Sequence, residues 1–457
     1  MMKSRLNAGE NYPAYVMILV FLGLLALGMK GVDPGSVRQE AGWINFALGV
    51  TLLAAFVTAK LAGLIGLPNL TGYIAAGILA GPFVSGFLSP DTVDRLKLID
   101  ELALSVIALA AGAELELSAM RKRAGAILLN IVLITAVVFA GVSIFIIIFG
   151  SVFTATAGFS PDQLAAFAIL AGVICVARSP SSAIAVINEC RSKGPFTDTV
   201  LSVTIVTDIL IIIMFTAALS AARVLAADTG AVNWGEFGLL GGEIAASLFA
   251  GVLLGKATSL YIKHIRRDFL IFLVFLAFGI SRASMGFNEY MEFHAGVSLH
   301  LEPLLICMSA GFFLRNATGE GRFFMENLDR ISMPVYVLFF SLAGAALNLN
   351  SLMLCWPLAL AVVSVRAAGL FAGSWTAGWI KGDPGSHRRS AWMTYLTQAG
   401  VSIGLAQLAM RELPGIGAHL NTLVLAVIAV NQIIGPVLFK LALHIVGEAG
   451  RNHHKKV

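Results

Sequence analysis

Charge is scarce in this chain. Only 12% of its 457 residues are Asp, Glu, Lys or Arg, about half of the roughly 25% found in an ordinary soluble domain. No linker, low-complexity tract or charged domain interrupts it. No Gly-rich phosphate loop ending in Gly-Lys-Ser/Thr occurs, which argues against ATP as an energy source. Cysteine is scarce: Cys175, Cys190, Cys307 and Cys355 stand far apart with no C-x-x-C spacing, so neither a disulfide framework nor a structural metal site is expected. The histidines lie mostly in loops or the tail (His264, His294, His300, His387, His419, His453, His454). With no His cluster, paired acids or nucleophile arrangement, an enzyme and a resident cofactor are not expected. The first apolar run, 12–29, follows Lys3 and Arg5 but has no small-x-small cleavage site behind Met29. It also exceeds the roughly 7–15 residues of a signal core, and reads as a retained span.

What the chain has is apolar length. Hydrophobic residues make up 58% and mean hydropathy is +0.86. Runs of about 20 apolar residues, enough to cross a bilayer, recur from end to end. Only helices can serve, because every backbone N–H and C=O must be paired within its own segment. The 46 glycines suit close helix packing in lipid. Fourteen candidate spans result, near 12–29, 45–65, 70–88, 98–115, 124–149, 163–187, 199–223, 234–261, 269–285, 299–314, 332–347, 352–380, 390–410 and 420–446.

Loop charges test that number, since cytoplasmic loops carry the excess of Lys and Arg. With the N-terminus inside, inside segments hold Lys3, Arg5, Lys60, Arg121, Lys122, Arg123, Arg191, Lys193, Lys263, Arg266, Arg267, Arg315, Arg322, Arg330, Lys381, Arg388, Arg389, Arg451, Lys455 and Lys456. Outside loops hold only Lys30, Arg38, Arg95, Lys97, Arg223, Arg282 and Arg411. Adding or removing one span scrambles the alternation, so fourteen spans with both termini cytoplasmic are expected. The net charge of +5 is then an orientation signal and not a nucleic-acid footprint. The short basic tail after Val446 reads as a solvated end near anionic headgroups.

Four basic residues remain. Lys256 and Lys440 sit near helix ends, where their heads can snorkel. Arg178 and Arg366 fall inside apolar spans, as does Asp208, flanked by Thr204 and Thr207. A carboxylate there must face water, meet a cation, or be protonated part of the time; a structural Asp pinned by a buried Arg is the plainer reading. Arg366 needs a carboxylate, carbonyls or water, and pairing with Asp208 is one option among these. Two spans are interrupted. In Ala177-Arg-Ser-Pro-Ser-Ser-Ala, Pro180 removes a helix donor and disfavours helical geometry at Ser179, so freed carbonyls and the hydroxyls of Ser179, Ser181 and Ser182 offer oxygen ligands. The second weak point is Thr397-Gln398-Ala-Gly400-Val-Ser402-Ile-Gly404. Paired breaks in two halves point to a transporter site. They fall in spans six and thirteen, and the odd offset implies inverted six-helix repeats. The domains expected are 1–44 (an extra helix and loop), 45–223 (first repeat), 224–268 (linking helix), 269–447 (inverted second repeat) and 448–457 (tail).

Leu67-Pro-Asn-Leu-Thr-Gly-Tyr-Ile-Ala-Ala-Gly-Ile-Leu-Ala-Gly-Pro, Ala113-Glu-Leu-Glu-Leu and Met333-Pro-Val-Tyr-Val-Leu-Phe-Phe-Ser-Leu-Ala-Gly carry a family likeness. From about Asn45 onward the chain resembles the monovalent cation:proton antiporter superfamily, with its sodium/hydrogen exchanger-like membrane domain, in the potassium-efflux and bacterial Na⁺/H⁺ antiporter branch. The resemblance implies an all-helical membrane fold with two crossed broken helices, a core and a dimerisation scaffold. It implies a homodimer in lipid, in a bacterial inner membrane, with only the transported monovalent cation and H⁺ as ligands. It gives Asp208 the cation or proton, one at a time, Arg366 the role of the embedded base, and residues 177–182 and 398–404 the crossing. Three positions depart from the family pattern. Thr207 stands where Asp, Asn or Gln is usual, Ala177-Arg-Ser-Pro replaces A-T-D-P, and Val203 replaces a Glu that pairs the buried base. A lone carboxylate favours electroneutral exchange. The rival readings are a sodium-coupled symporter of an organic anion, with Arg178 or Arg366 holding the substrate, and a non-transporting sensor or channel-like protein.

Overall fold

The computed structural model describes residues 13, 15–23, 41–227, 234–295, 301–347, 349–398 and 400–450. Residues 13 and 15–23 are helical; the rest of the candidate first span and the basic residues Lys3, Arg5, Lys30, Arg38, Arg451, Lys455 and Lys456 lie outside the described residues. From Ala41 the helices are α1 (Ala41–Leu64), α2 (Asn69–Ala80), α3 (Pro90–Arg95), α4 (Lys97–Glu114), α5 (Leu117–Phe149), α6 (Pro161–Ile174), α7 (Pro180–Cys190), α8 (Pro195–Ala227), α9 (Trp234–His264), α10 (Phe269–Ala295), α11 (Pro303–Ala317), α12 (Gly321–Ala345), α13 (Leu349–Lys381), α14 (Gly385–Thr394), α15 (Gly400–Glu412) and α16 (Pro414–Val446). No strand occurs among the described residues.

A helix stands over every candidate segment from 45 onward, with instructive differences. Segments 163–187 and 390–410 are each two short helices, α6 with α7 and α14 with α15. The 70–88 candidate ends at Ala80, because Gly81-Pro82 follows and residues 81–88 turn through bonds from Gly86 N to Gly81 O and Leu88 N to Ala80 O. The 332–347 candidate starts as early as Gly321, in polar turns braced by the Arg322–Glu326 pair at one-turn spacing. Within α13 the backbone leaves helical geometry at Cys355 (φ −129°, ψ 23°), ahead of Pro357, whose ring cannot share the preceding turn. Among the described residues eight helices are long and apolar enough to cross a bilayer, with α2, α6 and α11 as shorter apolar helices.

The chain forms two compact units. One comprises Met1–Leu104 with Arg330–Asn348. There α1 ends at Gly66, whose φ of +84° lets Leu67 N reach back to Ala62 O, and Pro68 stops the helix. α2 returns against α1 so closely that a Cβ at Gly72 would collide with the Ala59 backbone. A buried cluster of Trp43, Ala47, Phe87, Leu88 and Ala345 ties α1, the 81–88 turn and the end of α12 together. A Cβ at Gly77 would strike Ser341 O, and one at Gly344 would strike Ile74 O, so α2 and α12 meet through two facing glycines.

The other unit is Ser105–Asp329 with Leu349–Val457. The same device recurs: a Cβ at Gly112 of α4 would strike Met308 O, and one at Gly311 of α11 would strike Leu109 O. Gly251 and Gly255 of α9 rest on the other side of α11, and Gly369 and Gly373 of α13 rest on Val138 and Ile134 of α5. Both pairs have the four-residue spacing that lets helix backbones approach in lipid. α8 packs on α6, while α16 runs beside α13, α14 and α15. Past α16, Gly447 in left-handed geometry turns the chain so that buried Glu448 accepts from Phe196 N (2.9 Å), Thr197 N (2.8 Å) and Thr197 Oγ1 (2.7 Å). Glu448 thus caps the start of α8; the basic stretch 451–457, read as a solvated end, lies outside the described residues. Lys440 also differs from the snorkelling side chain expected: its Nζ lies 3.1 Å from Glu189 Oε1.

Replacing Gly311 by Val puts a Cβ bearing two methyl groups where Leu109 O lies. Overpacking of this kind costs about 1–3 kcal/mol or more, so Gly311→Val should melt several degrees below wild type in a detergent thermal-unfolding assay. Gly279→Ala, whose Cβ meets nothing within 4 Å, should not.

Candidate cation site at two helix breaks

α6 and α14 both stop in mid-segment, and each leaves carbonyls with no partner one turn on. Those ends face the same guanidinium. Arg366, in the middle of α13 and 0% exposed, donates from Nε to Cys175 O (2.7 Å), from Nη1 to Leu396 O (2.8 Å), and from Nη2 to Ala177 O (2.9 Å) and Tyr395 O (3.1 Å). Two carbonyls come from each break. The negative ends of two helix dipoles thereby meet one permanent cation whose planar fork matches four acceptors. The partner of Arg366 is backbone, not Asp208.

The breaks also bond each other. Ser179 N donates to Thr397 O (3.0 Å), and Gln398 Nε2 donates to Ile174 O (2.8 Å) and Ser402 Oγ (2.9 Å). Asn431 of α16 donates to Gln398 Oε1 (3.1 Å). On the far side, Ser179 caps α7: its Oγ accepts from Ser182 N (3.2 Å) and shares hydrogen bonds with the Ser181 and Ser182 hydroxyls, with Pro180 at the first helical position where no donor is needed. Gly400 opens α15. The carbonyls at 174, 175, 177, 395, 396 and 397 are all taken by protein donors. The expected oxygen cage of freed carbonyls is therefore filled by Arg366, Gln398 and Ser179.

Asp208 is what this leaves. It sits on α8 with 8% of its surface exposed, and its Oδ1 is buried without a hydrogen-bond partner. Thr204 turns its hydroxyl to Val200 O (2.9 Å) on its own helix. Thr207 donates likewise to Val203 O, and its oxygen accepts from Arg178 Nη1 (2.8 Å). Arg178 is 2% exposed and lies over the Tyr395 ring at 4.7 Å, while its Nε and Nη2 have no partner. Arg178 and Glu302 are both within electrostatic reach of Asp208. Arg178 thus bonds Thr207, the residue before Asp208, while Thr204 and the three serines satisfy local backbone and one another.

Sequence reading missed Tyr395, which is indistinguishable from any aromatic in an apolar run. It also missed Asn431, for which Asn431-Gln432 inside an apolar span was an available signal. A cavity of about 20 Å³, room for about one water, is lined by Tyr395 together with Arg123, Ser374, Asp383, His387 and Arg388. His387 packs edge-on against Phe196 at 5.1 Å, and burial lowers its pKa.

The arrangement is that of a membrane carrier: two facing helix breaks locked by a fixed charge, and one unpaired carboxylate beside them. A profile described as "Sodium/hydrogen exchanger, transmembrane" matches residues 50–444, and the chain belongs to that family. No curated protein matches it by sequence. Two solved structures of the sodium proton antiporter MjNhaP1 from Methanocaldococcus jannaschii are similar in fold. One, at pH 8, shares 16% identity at a TM-score of 0.64, covering 89% of this chain and 99% of that one. The other, an electron-microscopy map, shares 16% at 0.67, covering 91% and 100%.

Arg366→Gln leaves most of four buried carbonyls without donors at about 1–3 kcal/mol apiece, and Arg366→Lys loses the planar fork. Both should lower the detergent melting temperature strongly, with Lys intermediate. His387 resists protonation in the folded state, so the unfolded chain binds more protons below about pH 6.5 and stability falls with pH there. In melts from pH 8 to pH 5, His387→Asn should flatten that fall.

Proposed function

We propose that the chain is a secondary antiporter that exchanges Na⁺ or K⁺ for H⁺ by alternating access, with Asp208 taking cation and proton in turn. The carrying observation is the buried, unpartnered Oδ1 of Asp208 beside two breaks whose own carbonyls are engaged. An ionised carboxylate in hydrocarbon must find a positive partner, and with Arg366 held by carbonyls the partner of Asp208 can come and go. Because Thr207 stands beside it instead of a second acid, loading one proton or one monovalent cation gives the same charge. Exchange is then electroneutral. Family membership supports the cation/proton class.

The inverted-repeat reading has support in the glycine crossings. Ala111-Gly112-Ala113-Glu114-Leu115-Glu116-Leu117 and Ala343-Gly344-Ala345-Ala346-Leu347-Asn348-Leu349 share five of seven residues. Gly77 and Gly311, which answer them, lie at matching positions of α2 and α11. On the inverted-repeat reading Gly112 and Gly344 are counterparts in the two halves, as are Gly77 and Gly311. On the same reading the carrier works as a homodimer in a bacterial inner membrane with cytoplasmic termini.

The organic-anion symporter retains one handle, since Arg178 has two nitrogens without a partner while every nitrogen of Arg366 donates to a carbonyl. Uptake of labelled anion by proteoliposomes without a pH change is the result that favours it. For the antiporter, cation-induced dequenching of a pH dye in proteoliposomes should fall to the protein-free background in Asp208→Asn. Equal signals from variant and wild type remove Asp208 from the mechanism.

A further inference from the structure

Arg178 occupies an odd position for a guanidinium. It is 2% exposed, yet uses one of its five donor hydrogens, on Thr207 Oγ1, and covers Tyr395. Its Nε and Nη2 are orphaned in the same neighbourhood as the orphaned Oδ1 of Asp208. A buried charge with unmet donors beside a buried charge with an unmet acceptor ought to close into an ion pair. Two contacts hold it off. The Thr207 hydroxyl sends its hydrogen to Val203 O and offers a lone pair to Arg178, and the Tyr395 ring holds the guanidinium by its face. Arg366 cannot substitute, because all its nitrogens donate to carbonyls.

We infer that Arg178 is a resident cation that sets how weakly Asp208 holds its transported ligand, with Thr207 and Tyr395 keeping it one step short of an ion pair. The inference rests on Asp208 being the exchange carboxylate. A positive charge held near Asp208 disfavours proton and metal cation alike, so it lowers affinity without choosing between them. A carrier gains from this, because a lone carboxylate in a low dielectric binds any cation too tightly to release it quickly. Were the guanidinium to close on Asp208, it would exclude the substrate outright. The charged groups within electrostatic reach of Asp208 are Arg178 from the first break and Glu302 just before α11; Tyr395 of the second break lies under Arg178, and Arg178 and the Cys175 thiol are within reach of Arg366.

Two variants push in opposite directions. Arg178→Gln removes the charge: the apparent affinity for Na⁺ or K⁺ in proteoliposome dequenching should tighten about tenfold, and the transport pH profile should move alkaline by about one unit. Thr207→Val removes the tether, so Arg178 closes on Asp208 and apparent affinity should weaken. Arg178→Lys keeps the charge but loses the planar face on Tyr395, and should shift affinity less than Arg178→Gln does. Where a variant binds but does not turn over, cation-dependent thermal stabilisation in detergent reads the same affinities. Shifts of the same sign in Arg178→Gln and Thr207→Val, or an unchanged affinity in Arg178→Gln, overturn the inference. Transport surviving in Asp208→Asn overturns instead the assignment of the carboxylate.

Discussion

The guanidinium of Arg366 is the contact on which the rest of this site depends. A helix that stops inside a bilayer leaves carbonyls that water cannot reach, and two such stops double the difficulty. Here one cation takes two carbonyls from each stop, which makes two separate faults into a single joint. The joint has a chemical consequence: the oxygens at 175, 177, 395 and 396 already face a fixed positive charge.

Close glycine contacts supply the frame around the joint. α13 can bring Arg366 to the breaks because Gly369 and Gly373 let it lie against the backbone of α5. Gly435 of α16 approaches Thr397 at the second break in the same manner. Apolar side chains gain little from facing one another when lipid is the alternative, so position is set by how near two backbones can come. That is a steric limit, and it places polar groups more sharply than a cushion of leucines would.

Much of this was legible in residue order, and what was not has physical causes. Pro180 and the Thr397-Gln-Ala-Gly run announced the breaks because they remove helix donors or side-chain bulk. Asp208 and Arg366 stood out because charge is costly in hydrocarbon. The partners of Arg366 were invisible: a carbonyl is carried by every residue type, and these lie 29 to 191 positions away. For that reason the sequence could not show that the freed carbonyls at both breaks would meet one guanidinium. Hydropathy also averages across short gaps, so it merged α6 with α7 and α14 with α15 and missed the polar beginning of α12. Glu448 gave no signal in the sequence, because a lone acid after a span does not announce which amides it will cap.

That last residue governs when the carrier can be completed. The opening amides of the Asp208 helix are capped by a carboxylate 251 positions further on, supplied only after α16 has been made. A ribosome must therefore synthesise nearly the whole chain before the start of α8 acquires its cap. Until then those amides have only water or lipid headgroups to bind. A contact supplied by almost the last residues made thus secures the start of α8, the helix that carries Asp208.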